Sequence, residues 1–482
     1  MGIKKNFGYN LILTLCNYIF PMITFPYVSR VILADNIGVC GVVDGIINFF
    51  LQFAVLGIGS YGVREIARCG NDVEKRSKIF SNLIFINIIL TTIAVVVLVA
   101  LTLTVDRLQS YREFLGVGLI KIIFNAFLIE WFFQGIEQFK FITIRSVAVN
   151  FCYVICVLLF VKDGGDTIVY YFLTSVVVVF NALFNWITRR KYCKLSFRNL
   201  APKPYLKPIF TFGYYRILTS MYTTFNVIFL GLVSGDTQAG YFTASTKLYT
   251  IIMAAFTAFT TVMIPRVSSM LQSKEYGKLQ NVANDTFDIL VFVSLPVIFF
   301  GMFFAPQIIE LVAGAGYEGA IAPFRITISL LLIIGMEQIV IQQFLMASTN
   351  ISSILWLSTI GAVTGIVVNI LFTPGCGAIG SAIAWSLSEI VVLIMGISMM
   401  KRYTQLQPNF KKLSASLLKC VPYLLMDIIL FVSLPEYIEM WVALLLNILL
   451  FIVLNLFVYK NAVVSRHFKP IMEKLCKTKV LR

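Results

Sequence analysis

The sequence alternates between long apolar runs and short polar segments. An apolar run of about 20 residues has the length of a helix that crosses the hydrocarbon core of a bilayer. We count about fourteen such runs, and they predict an all-α polytopic membrane protein. Their approximate limits are 9–31, 38–62, 80–103, 114–135, 142–161, 167–187, 208–232, 239–264, 286–305, 325–347, 352–373, 377–399, 414–433 and 437–459.

The predicted spans form two sets of six, followed by two more. A basic segment at 189–207 separates the sixth span from the seventh. Because each set has an even number of spans, both sets have the same orientation, and a pseudo-twofold axis would lie along the membrane normal. We therefore predict four regions, namely an N-lobe (1–195), a basic cytoplasmic linker (196–207), a C-lobe (208–400), and spans thirteen and fourteen with a basic tail (401–482).

Composition and charge agree with a membrane protein. Of the 482 residues, 59% are hydrophobic and only 13% are charged, and the mean hydropathy is +0.87. A net charge of +16 would suit nucleic acid, but lysine and arginine also collect in the cytoplasmic loops of membrane proteins. A cytoplasmic N-terminus places most of them on that side, including the segments 64–78 and 189–207. We predict two cytoplasmic termini, an uncleaved first span and no nucleic-acid partner.

The sequence offers little for catalysis or for a cofactor. The 9 cysteines include no CxxC pair, and His467 is the single histidine, so neither a structural metal site nor redox chemistry is expected. No GxxxxGK[ST] motif occurs, which argues against ATP as the energy source. No segment outside the spans is longer than about 30 residues, well below the size of a domain. We predict a protein that is not an enzyme and that has no metal and no cofactor.

Polar residues recur at helical spacing in spans one, two and four, and again in spans seven, eight and ten. These spans occupy equivalent positions in the two sets of six, as a central hydrated cavity between two bundles requires. The alternative is that such residues hydrogen-bond one helix to another. From these stripes we select as candidate substrate contacts Asn17, Asn48, Gln52, Thr223, Asn226, Gln338 and Gln342.

Charged residues within the spans suggest two further roles. The cations Arg30, Lys121, Arg216 and Lys247 would bind a phosphate-bearing ligand. Alternatively, internal carboxylates pair with them, and Arg30 and Lys121 extend to the outer interface. A buried carboxylate can carry a proton or a sodium ion, and the candidates for ion coupling are Glu337 and Asp44. Glu389 and Asp427 lie in spans without a polar stripe and are interpreted as helix-packing partners.

Four stretches are similar to one known family. The run "LGIGSYGVREIARCGNDVEKRSKIFSNL" (56–83) resembles a loop of the Wzx-type polysaccharide flippases, which belong to the multidrug/oligosaccharidyl-lipid/polysaccharide exporter superfamily. Weaker similarity is found in "FPYVSRVI" (25–32), "EWFFQGIEQFKFITIRSV" (130–147) and "VSGDTQAGYFTASTKLYTI" (233–251). The resemblance extends over the first twelve predicted spans.

The resemblance implies a two-lobed transporter with fourteen spans in the bacterial cytoplasmic membrane. It would translocate undecaprenyl-diphosphate-linked oligosaccharide for O-antigen or capsule assembly, by alternating access through a cationic central cavity. The expected partners are this lipid-linked cargo, membrane lipids, H+ or Na+, and the polysaccharide polymerase machinery. A flippase for the peptidoglycan precursor, a drug or cation exporter, and a membrane glycosyltransferase or polymerase remain as alternatives. A drug exporter would favour acidic over basic cavity groups.

Overall fold

The computed structural model describes residues 3–198, 200–273, 276–345, 351–404, 410–433 and 436–454. Within these ranges the chain is almost entirely helical and contains no β-strand, which confirms the predicted fold class. The helices are α1 (Ile3–Val55), α2 (Ile58–Arg68), α3 (Val73–Thr104), α4 (Asp106–Gln109), α5 (Arg112–Asn125), α6 (Glu130–Gly135), α7 (Phe139–Phe160), α8 (Thr167–Thr188), α9 (Lys203–Thr223), α10 (Phe225–Ser234), α11 (Asp236–Gln272), α12 (Tyr276–Phe303), α13 (Ala305–Ala313), α14 (Ile321–Glu337), α15 (Ile351–Thr404), α16 (Phe410–Lys419), α17 (Val421–Ser433) and α18 (Glu436–Val453).

Ten helical stretches of the described chain are long and apolar enough to cross a membrane. Two of them, Ile12–Arg68 and Ser353–Arg402, have 57 and 50 residues, about twice the length that one crossing requires. Each contains a residue with non-helical backbone angles, at Leu33 (φ 64°, ψ 174°) and at Gly377 (φ 55°, ψ −132°). These residues lie where the sequence predicts that one span ends and the next begins.

The span predicted at 114–135 is found at Arg112–Gly135, but its helix is interrupted. Residues 126–129 separate α5 from α6, and Ile129 has a left-handed backbone conformation with φ 31°. Backbone groups at membrane depth must still be hydrogen-bonded. Here the side chain of Asn87 donates to the carbonyl of Ala126 at 3.2 Å, and the side chain of Asn185 donates to the carbonyl of Leu128. Asparagines from two neighbouring helices therefore stabilise the break.

The two halves of the chain meet closely where α1 crosses α11. A Cβ atom on Gly38 would lie 1.7 Å from the carbonyl oxygen of Asp236, and one on Gly240 would lie 2.0 Å from that of Ala34. Only glycine permits backbones to approach this closely. The Tyr111 hydroxyl also donates to the Asp236 carboxylate across the same contact. This contact is near the helix ends that the topology prediction places outside, and it holds α1 against α11 there.

Candidate functional site

A polar cavity of about 720 Å³ lies in the opposite half of the spans, towards the basic loops. Its walls come from α1, α2, α3, the interrupted segment of α5 and α6, and α9. Most of its polar side chains belong to the first half of the chain, while Arg216 comes from the second half. The polar lining residues are Asn48, Gln52, Ser60, Asn87, Asn125, Glu130, Gln134 and Arg216.

Neutral amides make up much of the polar surface of the cavity. Asn48, Gln52 and Val55 lie at helical spacing on one side of α1, and Gly59 follows on α2. Asn125 and the segment beyond it supply the facing wall. Each primary amide can donate and accept hydrogen bonds at the same time. Such a surface is suited to hydroxyl-rich ligands, because a hydroxyl also donates and accepts.

Arg216 supplies a cation to this amide-lined space. Its side chain is exposed to the cavity, and no hydrogen bond or ion pair joins it to another residue within the described ranges. Gly59 lies beside it, since a Cβ atom there would be 3.8 Å from Nη1 of the guanidinium. A guanidinium presents several N–H donors in one plane and binds phosphate in a bidentate manner. Arg216 is therefore available to an anionic ligand.

Glu130 places a carboxylate on the cavity wall, and a buried arginine forms an ion pair with it on the side away from the cavity. Arg145 contacts the Glu130 carboxylate through Nη2 and the side-chain oxygen of Asn185 through Nη1. The side chain of Arg145 is 3% exposed, whereas that of Glu130 is 34% exposed. The ion pair compensates the buried guanidinium, and the exposed part of the carboxylate can accept hydrogen bonds from a ligand.

The other predicted cations lie away from this cavity. Lys121 is buried and forms an ion pair with Asp44 at 2.6 Å, with its ammonium 4.0 Å from the ring centroid of Tyr171. Arg30 donates to the carbonyl oxygens of Pro26 and Leu311 near the outer side. Lys247 is largely uncovered by protein and lies on α11. Arg216 is thus the member of this predicted group that the structure brings to the polar cavity.

The remaining polar candidates of α1, α9 and α10 do not line the cavity either. Asn17 is exposed on α1. Thr223, at the end of α9, donates to the carbonyl of Thr219 at 3.0 Å. Asn226 is fully buried and accepts a hydrogen bond of 2.5 Å from the side chain of Asn369, which joins α10 to α15.

The predicted residues of span ten lie in a separate polar cluster of the second half. Gln338 begins a π-helix (Gln338–Leu345), and its amide is hydrogen-bonded to Thr257 and Thr260 at 3.1 and 3.0 Å. Gln342 is half-buried on the same π-helix. The cluster extends to Glu337.

Glu337 contacts a second acidic residue, Glu389. The two carboxyl groups interact, and Trp385 donates to Glu389 at 2.8 Å. Glu389 is 4% exposed, and the second oxygen of Glu337 is buried without a hydrogen-bond partner among the described residues. Because like charges repel strongly at low dielectric, such a pair is a candidate site for a proton.

Several cavity residues were not selected by the sequence analysis. The polar stripe of span four also contains Asn125, Glu130 and Gln134. The sequence analysis did not select them, because it favoured residues with a stronger electrostatic reason to bind the ligand. Asn87 belongs to span three, lies near its middle and is 3% exposed. An asparagine at that depth is costly in lipid and could have indicated a role in the interior.

The long apolar helices define a polytopic membrane protein with a polar cavity between its spans. A solved structure titled "Lipid II flippase MurJ, inward closed conformation" superposes with a TM-score of 0.74, covering 96% of this chain and 98% of that chain at 15% identity. An inward-facing multidrug resistance MATE family transporter of the MOP superfamily gives a TM-score of 0.61, covering 82% and 96% at 17% identity. At this level of identity the similarity concerns the fold.

The chain belongs to the family described as "Polysaccharide biosynthesis protein", whose sequence profile matches residues 3–271, more than half of the 482. Two curated relatives are both named "Putative O-antigen transporter". The protein of Escherichia coli (strain K12) is 24% identical over 283 residues, which are 56% of this chain and 66% of the relative. The protein of Shigella dysenteriae is 24% identical over 319 residues, which are 65% of this chain and 79% of the relative.

Proposed function

We propose that this protein is a flippase of the bacterial cytoplasmic membrane. Its cargo is an undecaprenyl-diphosphate-linked oligosaccharide that is used to build O-antigen, capsule or a related polysaccharide. The observation that carries the proposal is the polar cavity within the spans, which combines an available guanidinium with a surface of amides. Membership of a polysaccharide biosynthesis family and the names of the curated relatives support the same cargo class.

In this proposal the two kinds of polar group in the cavity bind the two parts of the cargo headgroup. Arg216 binds the diphosphate, whose negative charge makes it the most expensive part to move through lipid. The amides of Asn48, Gln52 and Asn125 exchange hydrogen bonds with sugar hydroxyls, and Glu130 accepts from them. A space lined in this way replaces the water that the headgroup loses when it leaves the cytoplasmic surface.

Movement of the cargo follows from the two-lobed fold. The cavity lies towards the basic loops, which we assign to the cytoplasm, and the α1–α11 contact closes the other side. Rocking of one lobe against the other would open that contact and close the cavity end, as in other transporters built from repeats. Both termini are cytoplasmic in this assignment, and the lobe limits remain those proposed from the sequence, 1–195 and 208–400.

For ion coupling we propose protons rather than sodium. The Glu337–Glu389 pair shares a proton that one carboxyl group can release when the surroundings change. Asp44 stays a second candidate, since its ion pair with Lys121 leaves the carboxylate 43% exposed. Contacts with cargo at other stages of the cycle are retained as proposals for Arg30, Lys121, Lys247, Asn17, Thr223, Asn226, Gln338 and Gln342. The polymerase machinery remains a proposed partner.

The test is a deletion of the gene in its native bacterium, in a background that tolerates stalled lipid intermediates. Lipid-linked oligosaccharide is then assigned to a leaflet with an impermeant sugar-modifying enzyme, applied to spheroplasts and to inverted vesicles. We expect completed units to accumulate on the cytoplasmic face while surface polysaccharide is lost. Units that reach the periplasmic face normally but are not polymerised would contradict the proposal and favour a membrane enzyme.

A further inference from the structure

An apolar groove of about 760 Å³ lies between the two halves of the chain. Its walls come from α1 and α3 of the first half and from α9 and α15 of the second half. The lining is almost entirely hydrocarbon and includes Phe53, Val97 and Phe210. These three side chains are 39%, 43% and 52% exposed, so the groove is open rather than filled by protein.

The groove and the polar cavity use adjacent faces of the same two helices. On α1, Asn48 and Gln52 line the cavity, whereas the neighbouring positions 49 and 53 line the groove. On α9, Arg216 lines the cavity, while positions 210, 214 and 217 line the groove. Successive helical residues are turned by about 100°, so neighbouring residues belong to different faces. Each helix therefore has one face towards the cavity and an adjacent face towards the groove.

The contact of α9 with the end of α1 and the turn that follows it (56–57), called the α1–α9 contact, forms the boundary between these two spaces. A Cβ atom on Gly57 would lie 2.4 Å from the carbonyl oxygen of Ile209, and one on Gly213 would lie 2.7 Å from the side chain of Leu56. The two helices belong to different halves, so this boundary changes when the halves move relative to each other. Opening it would join the polar cavity to the apolar groove.

Two smaller apolar pockets do not lie between the two halves of the chain. One of about 290 Å³ is lined by α7 and α8 and lies wholly within the first half. Another of about 200 Å³ is lined by α11, α12 and the π-helix, within the second half. Neither has walls from both halves, and neither shares a helix with the polar cavity. The groove at the α1–α9 contact is distinguished from them by its place as well as by its size.

We propose that this groove binds a segment of the polyprenyl chain of the cargo while the attached diphosphate lies at Arg216. The proposal rests on the proposed function, and it differs from an arrangement in which the whole chain stays in bulk lipid. An amphiphile with a polar head and a long apolar chain fits a polar cavity and an apolar groove that adjoin along one helix contact. The groove gains no hydrophobic free energy over the bilayer, because lipid is equally apolar. The groove selects the polyprenyl chain through van der Waals contacts that fit the shape of the chain. These contacts also set the position of the attached diphosphate.

The experiment separates binding of the chain from binding of the head. Full-length protein in phosphatidylethanolamine nanodiscs is titrated with undecaprenyl diphosphate, which has both parts, and with isopentenyl diphosphate, which has almost no chain. Val97→Trp fills the groove, and Val96→Trp is the matched control, because Val96 is 60% exposed on the same helix but does not line the groove. Arg216→Gln reports on the head.

We expect Val97→Trp to weaken binding of undecaprenyl diphosphate about tenfold, equivalent to about 1.4 kcal/mol, and to leave isopentenyl diphosphate unchanged. Val96→Trp should change neither, and Arg216→Gln should weaken both. Equal undecaprenyl diphosphate affinities for the two tryptophan variants would overturn the groove proposal, as would failure of the unmodified protein to bind this probe. The gene-deletion experiment tests the flippase function separately, so either idea can fail alone.

A second measurement does not depend on a substitution that fills the groove. We place p-benzoylphenylalanine at Phe53 in the groove, or at Phe184 in the pocket between α7 and α8, and irradiate vesicles that contain a small fraction of undecaprenyl diphosphate. The expected result is an undecaprenyl diphosphate adduct at position 53 well above its share of the membrane lipid. Adducts at both positions that follow bulk lipid composition would show that ordinary lipid fills the groove and would refute the proposal.

Discussion

Replacing Arg216 by glutamine removes the cation of the polar cavity and keeps a polar side chain in its place. The guanidinium is open to the cavity and forms no ion pair with a carboxylate of the described residues, so its N–H donors are available to a bound diphosphate. A hydrogen bond to a charged group contributes about 1.5–3 kcal/mol. Because about 1.4 kcal/mol is tenfold in affinity, loss of one such bond predicts a ten- to hundredfold weaker binding of undecaprenyl diphosphate.

The matched control for this variant is Lys207→Gln. Lys207 is an exposed cation on the same helix, α9, but it does not line the cavity. The assay is a titration of full-length protein in nanodiscs with undecaprenyl diphosphate, together with the amount of surface polysaccharide in complemented deletion cells. Arg216→Lys should be intermediate, because it keeps the charge and loses the planar, bidentate geometry. Wild-type affinity in Arg216→Gln, equal to that of Lys207→Gln, would refute the assignment of Arg216 to the diphosphate.

A charge introduced beside Arg216 tests the same assignment without removing the arginine. A Cβ atom on Gly59 would be at ordinary contact distance, 3.8 Å, from Nη1, so a side chain starting there can reach the guanidinium. Gly59→Glu should neutralise it and reproduce the defect of Arg216→Gln. Gly59→Gln has nearly the same size without the charge and should keep most of the affinity. Equal losses in both Gly59 variants would mean that volume, and not charge, is responsible.

Three further predictions concern the supporting structure. Glu130→Ala leaves the guanidinium of Arg145, whose side chain is 3% exposed, without its carboxylate partner and should destabilise the protein by about 3–5 kcal/mol, seen as a lower thermal unfolding temperature that a second substitution, Arg145→Met, partly restores; an unchanged temperature would contradict the ion pair. Gly38→Val cannot fit against α11 and should increase labelling of cysteines placed at the outer ends of the spans, whereas unchanged labelling would mean that this contact is not the closure. Glu337→Gln should abolish transport-linked proton movement in proteoliposomes, with Glu310→Gln, on the separate helix α13, as the control that keeps it.

The sequence was sufficient for the fold class because the bilayer fixes the length of each span. It was not sufficient for the interruptions within spans. The break at residues 126–129 depends on Asn185, which is 57 positions away from Leu128 along the chain. The local sequence around Ile129 contains no proline or glycine that would indicate a left-handed backbone conformation. Tertiary hydrogen bonds stabilise the break, and helical periodicity carries no information about them.

In the candidate site too, the sequence predicts which residues share a face of one helix but not which residues of other helices they contact. The spacing of Asn48 and Gln52 correctly places both on one face, and the structure brings that face to the cavity. Spacing alone could not predict that Lys121 pairs with Asp44, a residue 77 positions earlier, or that Asn226 is hydrogen-bonded to Asn369. Such polar residues join helices, as the alternative interpretation of the stripes allows.

The position of Arg216 relates ligand binding to motion of the lobes. Every other polar side chain of the cavity comes from the first half of the chain, whereas Arg216 comes from the second. A ligand that contacts both Arg216 and the amides of α1 therefore joins the two halves, and it does so only when they are close on this side. A ligand can shift a conformational equilibrium only through its different affinities for the two states. In the proposed cycle, separation of the halves would withdraw the arginine from the amides, and the cargo would lose its phosphate contact as the other side opens. A single cation on the opposite half would then supply the difference in affinity that alternating access requires, which a fixed cluster of cations on one half would not do.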